Sequence, residues 1–595
     1  MDPVNFSERV KDLLKTELPR GEKVVSEGID LGRSLKPGRS AFMNAYGVNS
    51  EAEYKRQCIR DRKIMYHCHI GMSSWNETAR GLKYLHRSLA SEGFYQDRAG
   101  ICLDRRMALP PAMRRNAPAE TGPLLENLEE WLAVGQAAPI QPHMGDFMIG
   151  FPASADNTVL ALRAGVTTIG NLSQFFSHEA PGWRDTPFTA GETVKAIALM
   201  GALREQGTLV HSYLDDGLGA LFTDCATVAG WAFLERYIVE ELMGAKLAHC
   251  VGGLVSDPVK RSGWIFALQE IHQGDCVGSM FYGDTISFTR DFSWNRGVVA
   301  ETLLWDILTQ MECPTGHAVL SIPVTEAVRV PNAEEILEAQ IFARNMEGVA
   351  RRVHPSFDFS APRAFAEKVV SAGRTVFNNA LDGLSDAGVD LKDPVQMLFV
   401  LKSLGPKLFE ETFGAGTPNP LSLRGRDAVV PNDVFEHSLR SVDKFRDSFA
   451  SPDARSSLEG RRIVLASTDV HEHALFVIEQ LLEISGVRVV NVGPERNPDE
   501  IAHAVGAENA DAVLVSTHNG MALDYANAML EEMEERNLSV PVFMGGVLNQ
   551  KVEENEMPID VEESLQGLGI RTCSNPMDLL ENLVVMWKNG TDEAE

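Results

Sequence analysis

Two rhythms of apolar and polar positions divide the chain. From Arg461 onward, short β-branched runs alternate with stretches whose apolar residues recur every three or four positions, the pattern of parallel strands joined by helical crossovers. The runs predict strands at Ile463–Ala466, Val487–Val492, Ala512–Val515, Val542–Met544 and Ile570–Thr572. After the first of these, Ala474, Val477, Ile478, Leu481 and Leu482 follow i, i+3, i+4, i+7, i+8 spacing, which predicts a helix laying one face on the sheet. The layout is that of a doubly wound, flavodoxin-like domain. Such folds bind ligands at the carboxyl ends of their strands, where Asp469–His473 would lie.

Before residue 430 the rhythm is slower. Short apolar runs at Ile64–Cys68, Ala99–Cys102, Ala138–Gln141, Val166–Ile169, Leu209–Tyr213, Lys246–Cys250, Cys276–Tyr282 and Ala318–Ile322 are separated by long helical patterns. Eight strand-plus-helix units predict a TIM (β/α)8 barrel with its active site at the carboxyl ends of the strands. Polar residues crowd those ends: His67 and His69, Asp104 with Arg105 and Arg106, His143 with Asp146, Asn171 with Gln174, Tyr213 with Asp215 and Asp216, Asp284 with Arg290, and Thr325 with Glu326. The expected organisation is an N-terminal extension (1–60), a barrel (61–415), a connector (416–460) and the smaller α/β domain (461–595). Within the connector, Gly414–Pro420 reads as an ordered wrap and Ser451–Ser457 as a linker.

Composition narrows the chemistry. Over 595 residues, 83 acidic side chains outweigh 55 basic ones, a net charge of −28, which argues against nucleic acid or anionic lipid as a partner. Eight scattered cysteines with no Cys-x-x-Cys pair suggest neither a zinc ribbon nor a disulfide framework, and a reduced, cytoplasmic setting is expected. The N-terminus is charged throughout, and no apolar run is long enough for a membrane span, so a soluble chain without a secretory leader is expected.

The informative segment is Asp469-Val470-His471-Glu472-His473-Ala474. A His two residues after an Asp on a strand-to-helix turn can offer one imidazole nitrogen to a metal while the Asp fixes the other N–H. A helix N-cap beside a solvated His is the alternative for these six residues alone. The segment resembles the cobalamin-binding domain of the B12-dependent mutases and of methionine synthase, whose fingerprint is Asp-x-His-x-x-Gly, then Ser-x-Leu, then Gly-Gly. Here Asp469-x-His471-x-x-Ala474, Ser516-Thr517-His518 and Gly545-Gly546 occur in that order, each after a predicted strand. The resemblance implies that His471 ligates cobalt, Asp469 orients it, Ser516 contacts the displaced base, and Gly545 and Gly546 let backbone approach the nucleotide tail. Ala474 and His518 stand where the family has Gly and Leu, and both are expected to touch the cofactor.

The larger part is similar to the catalytic barrel chain of the glutamate (methylaspartate) mutases over roughly residues 60–420, through Gly150-Phe151-Pro152 and Thr325-Glu326-Ala327 followed by Val330-Pro331. The chain thus looks like a fusion of that family's two components, between which the family holds the corrin. By this resemblance Glu326 and His143 contact the adenosyl group or the substrate, while Arg105, Arg106, Asn171, Asp215 and Asp216 shape the pocket. The family grips a dicarboxylate with three arginines, whereas the corresponding positions offer Gly71, Arg105 or Arg106, and His143. Arginine is not conservatively replaced at such sites, so the expected substrate is a small molecule other than glutamate.

Blander readings stand beside these. Alternation puts His67 and His69 on one strand face, where a structural role is simpler than a metal site. Arg105 and Arg106 share a loop with Arg114 and Arg115 that could be solvated or acid-paired, and Asp215-Asp216-Gly217 could be a polar turn. Methionine synthase and the methanogenic corrinoid proteins carry a four-helix cap before the cobalamin domain; here only Asn432–Ala450 reads as helical, which favours a mutase. The expected activity is an adenosylcobalamin-dependent isomerase of carbon-skeleton or amino mutase type, with a homodimer expected by analogy. The alternatives are a corrinoid-dependent methyltransferase or other B12 enzyme, and a non-catalytic B12-binding sensor or carrier.

Overall fold

A computed structural model describes residues 3–592 apart from 118, 120, 216, 421, 423, 469–471, 495, 519 and 553–556. The chain divides into two compact units: Met1–Val324 with Pro331–Asp433, and Thr325–Val330 with Val434–Glu595.

The first unit contains eight short strands: β1 (Tyr66–Ile70), β2 (Arg98–Ile101), β3 (Gln141–His143), β4 (Thr168–Ile169), β5 (Leu209–Tyr213), β6 (Leu247–Cys250), β7 (Met280–Phe281) and β8 (Ala318–Leu320). They pair in parallel in the orders β3-β2-β1-β8-β7 and β4-β5-β6. Parallel bridges Met144–Ile169 and Val251–Phe281 join the two sets, so each strand has a parallel neighbour on both sides. All eight fall at the expected runs, but several are shorter. The 138–140 stretch precedes β3, and β7 keeps only two of the seven residues expected from Cys276 to Tyr282.

Each strand is followed by helix whose apolar stripe faces inward, as in Trp75–Ser91, where Trp75, Leu82, Leu85 and Leu89 are buried and Ser74 caps the first turn. Residues 1–60, expected as an N-terminal extension, group with this unit. From the helix Glu51–Asp61, Lys55 Nζ donates to the carbonyls of Ser279 at 2.9 Å and Gly316 at 2.6 Å, at the amino-terminal side of the strands.

The second unit has a five-stranded parallel sheet of β9 (Arg462–Ser467), β10 (Arg488–Gly493), β11 (Ala512–Thr517), β12 (Val542–Gly546) and, after a small hairpin of β13 (Asn549–Gln550) and β14 (Ile559–Asp560), β15 (Arg571–Cys573). The order β10-β9-β11-β12-β15 is that of a flavodoxin-like fold. Alternation along each strand splits the core: Val464 and Ala466 join one face's cluster, Ile463 and Leu465 the other's.

Ser451–Ser457 is not a linker but the start of a helix, Pro452–Leu458, because Ser451 Oγ accepts from Ala454 N at 3.2 Å and Pro452 occupies the first turn. In the helix Glu472–Ile484 the expected stripe lies on the sheet, with Val477 and Ile478 packed against the cluster of Ile463 and Leu465. Leu481 and Leu482 are buried in the core, whereas Ala474, Val477 and Ile478 are half-buried and line a cavity. No described helix is long and apolar enough to cross a membrane.

Candidate functional site

The cavity lies within the second unit at the carboxyl ends of β9, β11 and β12 and encloses about 280 Å³. Its walls are mainly apolar, with Leu465, Ile478, Leu514, Phe543 and Phe445 among them, and its polar side chains include Ser516, His518, the Ser574–Asn575 turn and, from a further helix, His437, Ser438 and Ser441. Ser516 is buried, and its carbonyl accepts from Thr468 N at 2.9 Å, which ties the end of β11 to the end of β9.

Gly545 and Gly546 form the adjoining edge. Gly546 has φ +99°, and a Cβ there would stand 2.4 Å from the Thr517 carbonyl and 2.8 Å from the His518 ring. A Cβ at Gly545 would meet the Cys573 carbonyl at 3.0 Å. Both positions therefore keep backbone, not side chain, at the cavity edge. A deep apolar slot with a few convergent polar groups suits a flat heteroaromatic group with polar edges. The base and nucleotide tail of a cobalamin have that chemistry, so the residues present fit the group.

Residues 462–564 match the B12 binding domain family. They form a B12-binding domain. Over 90 residues, 15% of this chain and 60% of the relative, the sequence is 31% identical to glutamate mutase sigma subunit 1 of Haloarcula marismortui. It is 27% identical over 117 residues to that organism's sigma subunit 2, covering 19% of this chain and 77% of the relative. The fused isobutyryl-CoA mutase of Paraburkholderia xenovorans is 33% identical over 92 residues, 15% of this chain but only 7% of that protein. A solved cobalamin-binding protein from Desulfitobacterium hafniense aligns with 24% of this chain and 81% of its own at 19% identity and a TM-score of 0.18. These sequence likenesses to cobalamin-dependent mutases lie in the B12-binding domain.

Within that domain, Ala474, Ser516, His518, Gly545 and Gly546 all line the one cavity. Asp469 and His471 lie outside the described residues. Ala474 adds its methyl to the wall without closing it. The sequence reading missed one wall entirely: His437, Ser438, Ser441 and Phe445 come from the helix Asp433–Phe449. Its signal was legible, because Val434, Ser438, Val442 and Phe449 are buried at i, i+4, i+8 and i+15.

Among the described residues, the candidates of the first unit do not form one open cluster. Arg106 is held by Asp104 through two bonds of 2.9 Å, and Arg105 donates to the Glu179 carbonyl at 3.0 Å. Asn171 Oδ1 accepts from Ser173 Oγ at 2.8 Å and Tyr213 N at 2.9 Å, while Asp215 Oδ2 accepts from the amides of Gly252 and Leu254. These two side chains shape the strand-end loops by binding backbone. Asp284 likewise caps its own loop, with its carboxyl raised by burial, and Asp146 accepts from Gln174. Arg290 is exposed, and Asp216 lies outside the described residues. Glu326, in the Thr325–Val330 segment that groups with the second unit, has its carboxyl pushed up to about 7 by burial alone.

His143 belongs instead to an interior layer that the sequence reading glimpsed only at its edges. Its ring lies 5.9 Å from that of His67 and 4.7 Å from that of His211, and His67 lies 4.9 Å from His69. Tyr282 Oη approaches His69 Nδ1 at 3.3 Å, and Tyr282 stacks on Tyr213 at 5.2 Å. Arg98 Nη2 donates to Ser279 Oγ at 2.8 Å, and His211 Nδ1 meets the same hydroxyl at 2.8 Å. Burial, then the charge of Arg98, hold His67, His143 and His211 well below the usual imidazole range and push His69 down to about 4. These imidazoles are neutral at physiological pH.

Proposed function

We propose that this chain is an adenosylcobalamin-dependent isomerase, of carbon-skeleton or amino mutase type, acting on a small substrate other than glutamate. The observation that carries the reading is a B12-binding domain with a formed tail slot in the same chain as eight successive parallel strands, each flanked on both sides. That pairing, with helices between the strands, supports a (β/α)8 barrel in the first unit, whose strand ends are where such folds do their chemistry.

Adenosylcobalamin, when bound, would supply a carbon-centred radical by homolysis of its cobalt–carbon bond, able to take a hydrogen atom from the substrate. The chain's own part is to bind and orient. Ser516 and the backbone of Gly545–Gly546 would hold the tail, His471 would ligate cobalt, and Asp469 would fix the imidazole's orientation. In the first unit, Asn171 and Asp215 set the strand-end loops, Arg105 and Arg106 anchor the loop after β2, and His143 contributes to the substrate floor. Glu326, with Asp216, would lie beside the adenosyl group or substrate. The chain is expected to work in the cytoplasm as a homodimer.

The test is to load the full chain with adenosylcobalamin and record electron paramagnetic resonance with a panel of small organic acids and amino acids. A substrate-dependent organic radical signal, with isomerised product, is expected. Turnover of any substrate without such a signal would assign the chain to methyl transfer instead.

A further inference from the structure

A parallel barrel interior is ordinarily packed with Val, Ile and Leu. Here β1, β3 and β5 supply four imidazoles, and β2 supplies a fully buried arginine. Such a departure costs stability and needs a reason.

Two observations about this layer point the same way. The first is the charge balance. Beneath the imidazoles, Lys55 and Arg98 are both fully buried, and among the described residues one carboxylate is paired with them: Glu51, 3.5 Å from Lys55 Nζ and 2.9 Å from Arg98 Nε. Two cations against one anion leave one positive charge uncompensated, and buried charge without a counter-charge is expensive. The second is unmet hydrogen bonding. His67 Nδ1 and Nε2, His143 Nε2 and Arg98 Nη1 are buried with no hydrogen-bond partner among the described residues, where buried polar atoms are normally satisfied by protein, water or ligand.

We propose that this layer, bounded by His67, His69, His143, His211, Arg98 and Tyr282, is the seat of a substrate carboxylate, and that the substrate is a monocarboxylic acid uncharged elsewhere near that group. The inference rests on the isomerase reading and names its substrate class. An ionised carboxylate only accepts hydrogen bonds, so it meets Arg98 and the N–H of neutral His67, neither of whose ring nitrogens has a partner among the described residues; His143, whose Nδ1 donates to the Thr168 carbonyl at 3.0 Å, keeps an accepting Nε2 and only walls the seat. Its single charge cancels the single surplus. A dianion would bring a second negative charge with no cation to meet it, and an amide would satisfy donors but leave the charge. Access comes from the carboxyl ends of the strands, where His69 and Tyr282 keep part of their surface exposed.

The experiment uses the full chain without cofactor, titrated with propionate and butyrate by calorimetry, with propionamide and glutarate as comparisons. Saturable binding of both monoacids is expected, at least roughly tenfold tighter than propionamide or glutarate. In a chain carrying 15N-labelled histidine, propionate should shift imidazole resonances that are lost in His69→Ala and His67→Ala. Both substitutions should weaken the monoacids roughly tenfold or more. His69→Ala, at a partly exposed position, keeps the test usable if His67→Ala fails to fold. Propionamide or glutarate binding as well as propionate, monoacid affinity unchanged in His69→Ala, or no saturable monoacid binding would each overturn the proposal. Cobalamin uptake is read separately from its absorbance spectrum. Failure of the isomerase reading therefore appears in the loaded enzyme, and failure of the carboxylate seat in the cofactor-free titration.

Discussion

Ser516 and Gly545 face each other as direct partners across the parallel strands β11 and β12, and both line the same cavity. Register does this work. Side chains alternate along a strand, so a shift of one residue between β11 and β12 would turn Ser516 toward a different neighbour and bring Met544 or Gly546 opposite it. The two motif fragments, 29 positions apart in sequence, are one wall of one slot.

Gly546→Ala places a methyl 2.4 Å from the Thr517 carbonyl at a φ of +99°. Such strain costs about 1–3 kcal/mol. A lower urea midpoint for the B12-binding domain's transition is expected, together with weaker cobalamin uptake. A midpoint equal to that of the natural chain would show that the loop relaxes freely.

Ser441, on the helix Asp433–Phe449, is half-buried at the cavity wall. Ser441→Trp should fill much of the slot while keeping the far-ultraviolet circular dichroism spectrum and the melting temperature. Cobalamin binding, followed by equilibrium dialysis, should then fall sharply. Undiminished uptake would mean that the tail enters elsewhere.

On the proposed reading His471→Ala would remove the lower ligand of cobalt, and loss of the protein-induced change in the cobalamin absorbance spectrum is expected. Asp469→Asn keeps the imidazole but loosens its orientation, so binding should weaken about 10- to 100-fold. Full cofactor-dependent turnover with an unchanged spectrum in His471→Ala would remove the axial-ligand assignment.

Glu326 supplies a pH dependence. Its carboxyl is pushed up from 4.5 to about 7 by burial, so between those values the folded chain binds its proton more tightly than the unfolded chain does. Its contribution to stability is fully present below about 4.5 and is lost as pH rises through about 7. Glu326→Gln should remove that loss. Chemical denaturation at pH 5 and pH 8 should show the natural chain falling relative to the variant by on the order of 2 kcal/mol. Parallel behaviour of the two proteins would place Glu326 in solvent.

The five strands of the B12-binding domain and the eight of the first unit were legible because each is a local apolar run, and Ala474, Ser516, His518, Gly545 and Gly546 were legible because each follows such a run. The linker at Ser451–Ser457 was misread because Ser before Pro marks both loops and helix starts, and burial of Ala454 and Leu458 decides between them. Arg105, Arg106, Asn171 and Asp215 were rightly placed at strand ends, but what they bind was invisible. Their partners, Glu179, Asp104, Tyr213 and Gly252, are fixed by loop geometry more than by spacing.

The sequence by itself determined the periodicity of the elements, their order and the B12-binding fingerprint, since these are written in local patterns of burial and in residue types at strand ends. Only the tertiary structure decided that the helix Asp433–Phe449 walls the tail slot, and that Glu51, Lys55, Arg98 and four histidines share one interior with a surplus positive charge. Electrostatic and hydrogen-bond balance is a sum over neighbours, and those neighbours come from strands far apart in sequence that meet only when the sheet's register brings them together.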